Sequence, residues 1–187
     1  FDNNLNDISQ TNNSAIPHNG ISFVPGPCGA ALSFDGIDDF LTIPHTSAYE
    51  FGLGEFTVAM RVKYTSPQPY PNNQPYAYAS ITDKLDPGCP VPYNGINMFL
   101  DASPTYPNPY QGGALGRTKY DNRIYSPQGL LNSDTWHCLV YTRNPDPNGT
   151  TCTMRMYVDG VLVNTELGVG LNDVTNQSPI TIGANSC

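Results

Sequence analysis

Three segments of the chain alternate apolar and polar residues with a period of two, the pattern of a β-strand with one buried face. The clearest is EFTVAMRVKY at 55–64, and the same period runs through 136–143 and 152–158. Asp159-Gly160 follows the third segment and is typical of the two-residue turn that joins hairpin strands. These segments predict an antiparallel sheet rather than helices.

The loop NPDPNGT joins the second and third segments into a predicted hairpin. We expect Cys138 and Cys152 to face the core, and we place Arg143 opposite Thr151 across the ladder. Because a strand rises about 3.3 Å per residue, this register puts the two cysteines too far apart to bond each other. The expected core face of the second segment carries Trp136, Cys138, Val140 and Thr142, and the other face carries His137, Leu139, Tyr141 and Arg143.

Seven further short segments read as strands, and turn-forming residues separate them. The chain has 18 Pro and 17 Gly in 187 residues, and only 13% of its residues are charged. This composition favours an all-β, two-sheet antiparallel sandwich over 1–187 as a single domain. The seven segments are ALSF, DFLTIP, YASITDK, GINMFLDA, ALGRTKY, VLVNT and SPITIGA.

The charge of the chain excludes two classes of partner. Its formal net charge is −8, so we expect neither nucleic-acid binding nor attraction to anionic lipid. No apolar run approaches the roughly 20 residues that span a bilayer, which predicts no membrane insertion.

The region 64–125 holds nine of the 12 tyrosines and ten of the 18 prolines, and we interpret it as loop elaboration at one rim of the sandwich. Aromatic faces and short polar side chains suit a sugar ligand. In the alternative interpretation the same residues stiffen exposed loops or cover a neighbouring subunit. The predicted ligand-binding residues are Tyr76, Tyr78, Tyr106, Asn108 and Tyr110.

The cysteines and glycosylation sequons favour an extracellular location. None of the five cysteines forms a Cys-x-x-Cys pair, so disulfides are expected rather than a zinc site, with the pairing open and one thiol left over. Asn12, Asn148 and Asn176 each begin an Asn-x-Ser/Thr sequon and are the predicted glycan acceptors. The disulfide candidates are Cys28, Cys89, Cys138, Cys152 and Cys187.

From Val24 onward the order of these strings resembles the laminin-G-like modules of the concanavalin A-like lectin/glucanase superfamily. The resemblance is carried by FVPGPCGAALSFDGIDDFLTIP, EFTVAMRVKY, ITDK, DTWHCLVYTR, MYVDGVLVNT and PITIGAN, across about 160 residues. It implies a jelly-roll sandwich, commonly with calcium at one rim, that binds a glycan or protein ligand without catalysis.

The family pattern usually continues into one more strand, of the Gly-x-Ile-Asp-Glu-Val type, which this sequence lacks after PITIGAN. Three explanations stay open. The chain is a fragment, its N-terminal segment fills the place of the strand, or a neighbouring polypeptide donates one.

The acidic string FDGIDD at 34–39 has two interpretations. It is a tight turn between ALSF and FLTIP, or it is a set of oxygen ligands for Ca²⁺. Asp38 and Asp39 are the predicted metal ligands, with Asp7 a more distant third. Asp159 is explained by its turn.

The sequence carries no recognisable catalytic set. Its three glutamates, Glu50, Glu55 and Glu166, have no carboxylate two positions away, unlike the paired acids of glucan-cleaving enzymes. No Gly-x-Ser-x-Gly elbow accompanies the histidines, for which structural roles are expected.

We therefore expect a non-catalytic extracellular module that binds a carbohydrate. The alternative is a structural subunit of a surface filament or multidomain adhesin, completed by a strand from its neighbour.

Overall fold

The computed structural model describes residues 3–64, 78–86, 94–101, 113–119, 122–127, 129–131 and 134–184. These ranges contain thirteen β-strands and one short 3-10 helix, Ser47–Tyr49. All ten strands predicted from the sequence are present, and β1, β2 and β9 are additional. The strands are β1 (Ile16–His18), β2 (Ser22–Gly26), β3 (Gly29–Ser33), β4 (Phe40–Ile43), β5 (Phe56–Val62), β6 (Tyr78–Leu85), β7 (Asn94–Asp101), β8 (Gly113–Lys119), β9 (Arg123–Tyr125), β10 (His137–Pro145), β11 (Thr151–Val158), β12 (Val161–Gly170) and β13 (Ile180–Ile182).

The strands form a seven-stranded sheet, a four-stranded sheet and a separate hairpin. The seven-stranded sheet has the order β1-β4-β13-β6-β7-β8-β9, the four-stranded sheet β12-β11-β10-β5, and the hairpin joins β2 to β3. Every pairing is antiparallel. The apolar core unites residues of both larger sheets, such as Met98 and Leu100 with Leu139 and Met156. The predicted antiparallel sandwich is confirmed.

Tyr141 lies at the centre of this core and is fully buried. Its ring packs edge-on against Phe56, with ring centroids 5.4 Å apart. Gly116 of β8 lies so close to the same ring that a Cβ atom there would be 2.8 Å from it. A side chain at position 116 would therefore force the ring of Tyr141 or the backbone of β8 to shift.

The face of β10 that we predicted to be buried is partly exposed, and the opposite face is the buried one. Leu139 and Tyr141 are buried, whereas Trp136 and Cys138 are partly exposed. Since both faces carry large apolar residues, alternation alone does not choose between them. Turning Leu139 and Tyr141 inward leaves Arg143 inside as well.

The predicted β10–β11 register is also wrong, because Arg143 lies opposite Met154 rather than Thr151. The two strands pair farther toward their connecting loop than expected, so that the loop spans only 146–150. The backbone N–H of Asp146 donates to the carbonyl of Thr151 and closes it. Cys152 is opposite Pro145, so it lies still farther from Cys138 than predicted. The conclusion that these two cysteines do not bond each other holds.

Two buried cations fasten the segment 171–179, which connects β12 to β13. Arg143 donates to the carbonyls of Gly52, Gly54 and Asn172 over 2.6–3.0 Å. Lys84 Nζ donates to Asn176 O and Oδ1 and to Ser178 O over 2.8–3.1 Å. Burial lowers the pKa of both cations. Backbone carbonyls thus replace water around charges that the core would otherwise exclude.

β1, from the N-terminal part of the chain, pairs with β4 and forms one edge of the seven-stranded sheet. Among the described strands, β5 and β12 border the four-stranded sheet. Donation of a further strand by a neighbour remains a prediction. No helix within the described ranges has the length and apolarity needed to cross a membrane.

Candidate functional sites

The acidic turn between β3 and β4 brings three carboxylates together. One oxygen each of Asp35, Asp38 and Asp39 lies within 4.8 Å of the other two. Asp39 is buried, whereas the other two residues are exposed. Two oxygens bound to one Ca²⁺ at about 2.4 Å are at most about 4.8 Å apart, so this spacing and these hard donors fit the ion.

Two of these carboxylates, those of Asp35 and Asp39, also hold the turn. Asp39 accepts hydrogen bonds from the backbone N–H groups of Gly20 at 2.6 Å and Asp35 at 3.0 Å. Asp35 accepts from the N–H of Ile37 at 2.8 Å, and this bond is the main reason that its pKa is lowered. The predicted turn role is confirmed, and Asp35 joins the two predicted ligands.

Asp7 does not belong to the acidic cluster of the described residues. Its carboxylate instead accepts hydrogen bonds from Ser9, Thr11 and Asn13 in its own loop. The side-chain bond from Ser9 is the largest of several that lower its pKa. Asp7 therefore shapes the N-terminal loop, and its prediction as a third ligand is not supported.

A surface pocket of about 440 Å³ lies at the end of the four-stranded sheet. The turn between β2 and β3, the C-terminal part of β5, the start of β10 and the β11–β12 turn all contribute to it. Its lining residues are Pro27, Arg61, Trp136, His137, Cys138, Asp159 and Gly160.

Asp159 belongs to the β11–β12 turn and also lines this pocket. It has φ +52° and Gly160 has φ +81°, as the predicted two-residue hairpin turn requires. Its carboxylate accepts from the N–H of Cys138 at 2.8 Å and lies 2.8 Å from His137 Nδ1. These contacts, that of Cys138 first, lower the Asp159 pKa. The turn alone therefore does not explain this residue.

Trp136, the only tryptophan of the chain, is partly exposed at the pocket. Lys63 Nζ lies 5.6 Å from the centre of its ring system, within the range of a cation–π contact. Arg61 is opposite Cys138 in the β5–β10 pairing, and its Nη1 lies 2.6 Å from Cys28 Sγ. Sequence reasoning missed this group because it assigned Trp136 and Cys138 to the core.

The histidines each contact a neighbouring side chain. The ring of His18 stacks on Phe40 with centroids 4.2 Å apart, and His45 Nε2 lies 3.1 Å from a Glu50 oxygen. His137 is buried against Asp159. These contacts agree with the expected structural roles.

The three described cysteines are unbonded. Cys28 is exposed, Cys138 is partly exposed, and Cys152 is buried with a raised thiol pKa caused by that burial. Cys89 and Cys187 lie outside the described residues, so the disulfides remain a prediction.

Most of the predicted ligand-binding residues cannot be placed. Tyr76, Tyr106, Asn108 and Tyr110 lie outside the described residues. Tyr78 is the first residue of β6, where it pairs with Asp101 of β7.

The three sequons differ in accessibility. Asn12 and Asn148 are exposed. Asn176 is buried, and its side-chain nitrogen donates to the carbonyl of Lys84 at 3.1 Å. The fold therefore contradicts Asn176 as a glycan acceptor, because a glycan on that nitrogen would have to occupy the packed interior.

Comparison with known proteins matches residues 35–186 to a family model described as concanavalin A-like lectin/glucanases superfamily. A search of curated proteins found no match. Among solved structures, the binding domain of paraclostridial mosquitocidal protein 1 superposes with a TM-score of 0.69 at 14% identity. That match covers 95% of this chain and 41% of the toxin domain, so this chain spans less than half of it.

Two other similar structures are named for glycans. Domain 4 of the extracellular arabinanase AbnA from Geobacillus stearothermophilus, solved with arabinotriose, has a TM-score of 0.64 at 13% identity, covering 98% of this chain and 79% of that domain. Botulinum neurotoxin type C, whose cell entry depends on two ganglioside molecules, has a TM-score of 0.63 at 14% identity, with 95% and 39% covered.

The fold also occurs in an enzyme, an endo-β-1,4-glucuronan lyase from Trichoderma reesei, with a TM-score of 0.51 at 16% identity. At these identities the solved structures establish the fold alone, whereas the family model covers most of the sequence. The chain belongs to the concanavalin A-like lectin/glucanase superfamily.

Proposed function

We propose that this chain is a non-catalytic, extracellular carbohydrate-binding module. The observation that carries the proposal is the pocket beside Trp136, where a partly exposed indole ring adjoins charged and polar groups. Membership of a lectin-containing superfamily supports it, as does the likeness to domains named for arabinotriose and ganglioside.

The pocket offers the two kinds of contact that sugars need. The face of Trp136 suits the C–H surface of a pyranose ring. Arg61 supplies donors and Asp159 supplies acceptors for hydroxyl groups. The side chain of Asp159 is half exposed, so its oxygens remain accessible from the pocket.

Titration calorimetry against a set of oligosaccharides, with Trp136→Ala beside wild type, tests the proposal. Loss of the stacked ring should weaken binding by roughly 5- to 150-fold, taking the value of about 1–3 kcal/mol for a base stacked on an aromatic side chain as the scale for a sugar ring. Tyr49→Ala is the matched control, because Tyr49 is a partly buried aromatic residue outside the pocket.

A double variant, Tyr106→Ala/Tyr110→Ala, distinguishes the pocket from the predicted loop site. If that variant abolishes binding and Trp136→Ala does not, the ligand contacts the tyrosine-rich loops. Absence of binding to any glycan, together with concentration-dependent assembly in light scattering, would favour the structural-subunit alternative instead.

We further propose that Asp35, Asp38 and Asp39 bind Ca²⁺, which would brace the turn between β3 and β4. Millimolar Ca²⁺ should then raise the Tm of wild type, because an ion that binds only the folded state stabilises it. Asp38→Asn removes an exposed ligand and should abolish the rise, whereas Glu55→Gln, an exposed carboxylate outside the cluster, should retain it. A wild-type Tm unchanged between Ca²⁺ and EDTA would refute the site.

A further inference from the structure

Within the described part of this acidic protein, the two most exposed positive charges lie close together. The chain has eight Lys and Arg residues against 16 acidic residues. Lys84, Arg117 and Arg143 are buried. Among the Lys and Arg side chains that the structure describes, Arg61 and Lys63 are the most exposed, whereas Arg123 and Arg155 are partly exposed.

The two exposed cations are on the same side of the same strand segment. Residues two positions apart along a strand project from one face, and the Cα atoms of Arg61 and Lys63 are about 7 Å apart. Arg61 lines the Trp136 pocket, and Lys63 lies against the Trp136 ring. The indole ring of Trp136 therefore has a guanidinium group and an ammonium group beside it.

Neither Arg61 nor Lys63 forms an ion pair with a carboxylate of the described part of the chain. The contacts found are Arg61 with the sulfur of Cys28 and Lys63 with the indole ring. A thiol is a weak acceptor, so the guanidinium retains strong donors for a ligand. Asp159, the acid of the pocket, lies against the Cys138 N–H and His137, and its half-exposed oxygens remain acceptors for sugar hydroxyls.

We infer that the preferred ligand of this pocket is an anionic glycan, whose acidic group binds Arg61 and Lys63 while a sugar ring lies on Trp136. The inference rests on the proposed glycan-binding function and names its ligand class. The guanidinium fork matches two oxygens of a carboxylate or a sulfate ester, and ionic hydrogen bonds of this kind are shorter and stronger than neutral ones.

The experiment compares uronic-acid oligosaccharides with their carboxyl-reduced forms, which have the same ring stereochemistry without the charge. A third arm uses oligosaccharides of the same length that carry sulfate esters as their only charged groups. Wild type should bind one acidic series at least about tenfold more tightly than the uncharged forms, and the gain should shrink as NaCl rises. The arm that shows the gain identifies carboxylate or sulfate as the recognised group.

In Arg61→Gln the affinity for both forms should fall, because Arg61 also serves sugar hydroxyls, but the ratio of acidic to uncharged affinity should fall toward one. Lys63→Gln should lower that ratio in part. Arg155→Gln is the matched control, because Arg155 is a partly exposed arginine of β11 outside the pocket. Equal affinity for acidic and uncharged forms, or an unchanged gain in Arg61→Gln, overturns the inference and leaves glycan binding intact. Failure of every glycan to bind wild type overturns the proposed function as well.

Discussion

Arg143 is the residue whose replacement should reveal most about how this sandwich is held together. It is fully buried in the structure, and its guanidinium lies 4.9 Å from the Phe56 ring centre. Its donors reach the carbonyls of Gly52 and Gly54 before β5 and of Asn172 after β12. One side chain thus ties two connecting segments to the central strand β10.

Arg143→Met keeps an apolar stem of similar length and removes every donor. Three carbonyls lose their partner, and an unsatisfied buried group costs about 1–3 kcal/mol. Gly54 is exposed, while Gly52 and Asn172 are partly exposed, so water can replace part of what is lost and the lower value applies to each. The expected loss of unfolding free energy is about 3 kcal/mol, or roughly 6–12 °C in Tm for a domain of this size.

Urea unfolding followed by circular dichroism, in reducing buffer, measures this loss. The control is Arg155→Met on the neighbouring strand, because Arg155 is partly exposed and makes one long hydrogen bond, 3.3 Å, to Asn144. It should cost less than about 1 kcal/mol. If Arg143→Met is as stable as Arg155→Met, the carbonyl contacts do not hold the connecting segments and the reasoning fails.

Three further predictions concern acid sensitivity, thiol access and close packing. The folded pKa of Asp159 is depressed, so its stabilisation is present above the ordinary pKa of about 4 and is lost as pH falls below it. Asp159→Asn should therefore lose less stability than wild type between pH 5 and pH 2, and equal losses in urea titrations would contradict this. With all thiols reduced, iodoacetamide should label the exposed Cys28 long before the buried Cys152 in peptide mass spectrometry, and simultaneous labelling would refute the burial. Gly116→Ala places a methyl group 2.8 Å from an aromatic ring and should lower the free energy of unfolding by about 1–3 kcal/mol in urea titrations. Gly170→Ala meets open space and should be nearly neutral in the same assay.

The sequence predicts most strands because their period of two survives in the fold. β5 is the clearest case, with Phe56 buried and Thr57, Ala59 and Arg61 exposed. β1 and β9 were missed because three residues are too few to show a period, and β1 and β2 each contain a proline. The equally short β13 was predicted from the longer string SPITIGA. Short strands form here through pairing with a neighbour that alternation along one segment does not reveal.

The acidic cluster shows a similar limit. Asp38 and Asp39 were predicted as metal ligands because they are adjacent. No sequence pattern indicates which third carboxylate the turn brings next to such a pair. Asp35 enters the cluster because the turn brings its N–H onto the carboxylate of Asp39 at 3.0 Å. Asp7 is held in its own loop by three local donors, and composition gives no sign of that.

The inverted face of β10 decides which side chains line the proposed binding pocket. Had Trp136 faced inward, its ring would have filled the core and left the end of the four-stranded sheet without an exposed aromatic surface. Because Leu139 and Tyr141 take the inner positions, Trp136 emerges beside Arg61, its neighbour from β5. The cost of that choice is a buried guanidinium at Arg143, which the carbonyls of two connecting segments satisfy. The stability of the core and the exposure of the pocket therefore both depend on which alternate residues of β10 face inward. Arg143→Met tests the effect on stability, and Trp136→Ala tests the effect on ligand binding.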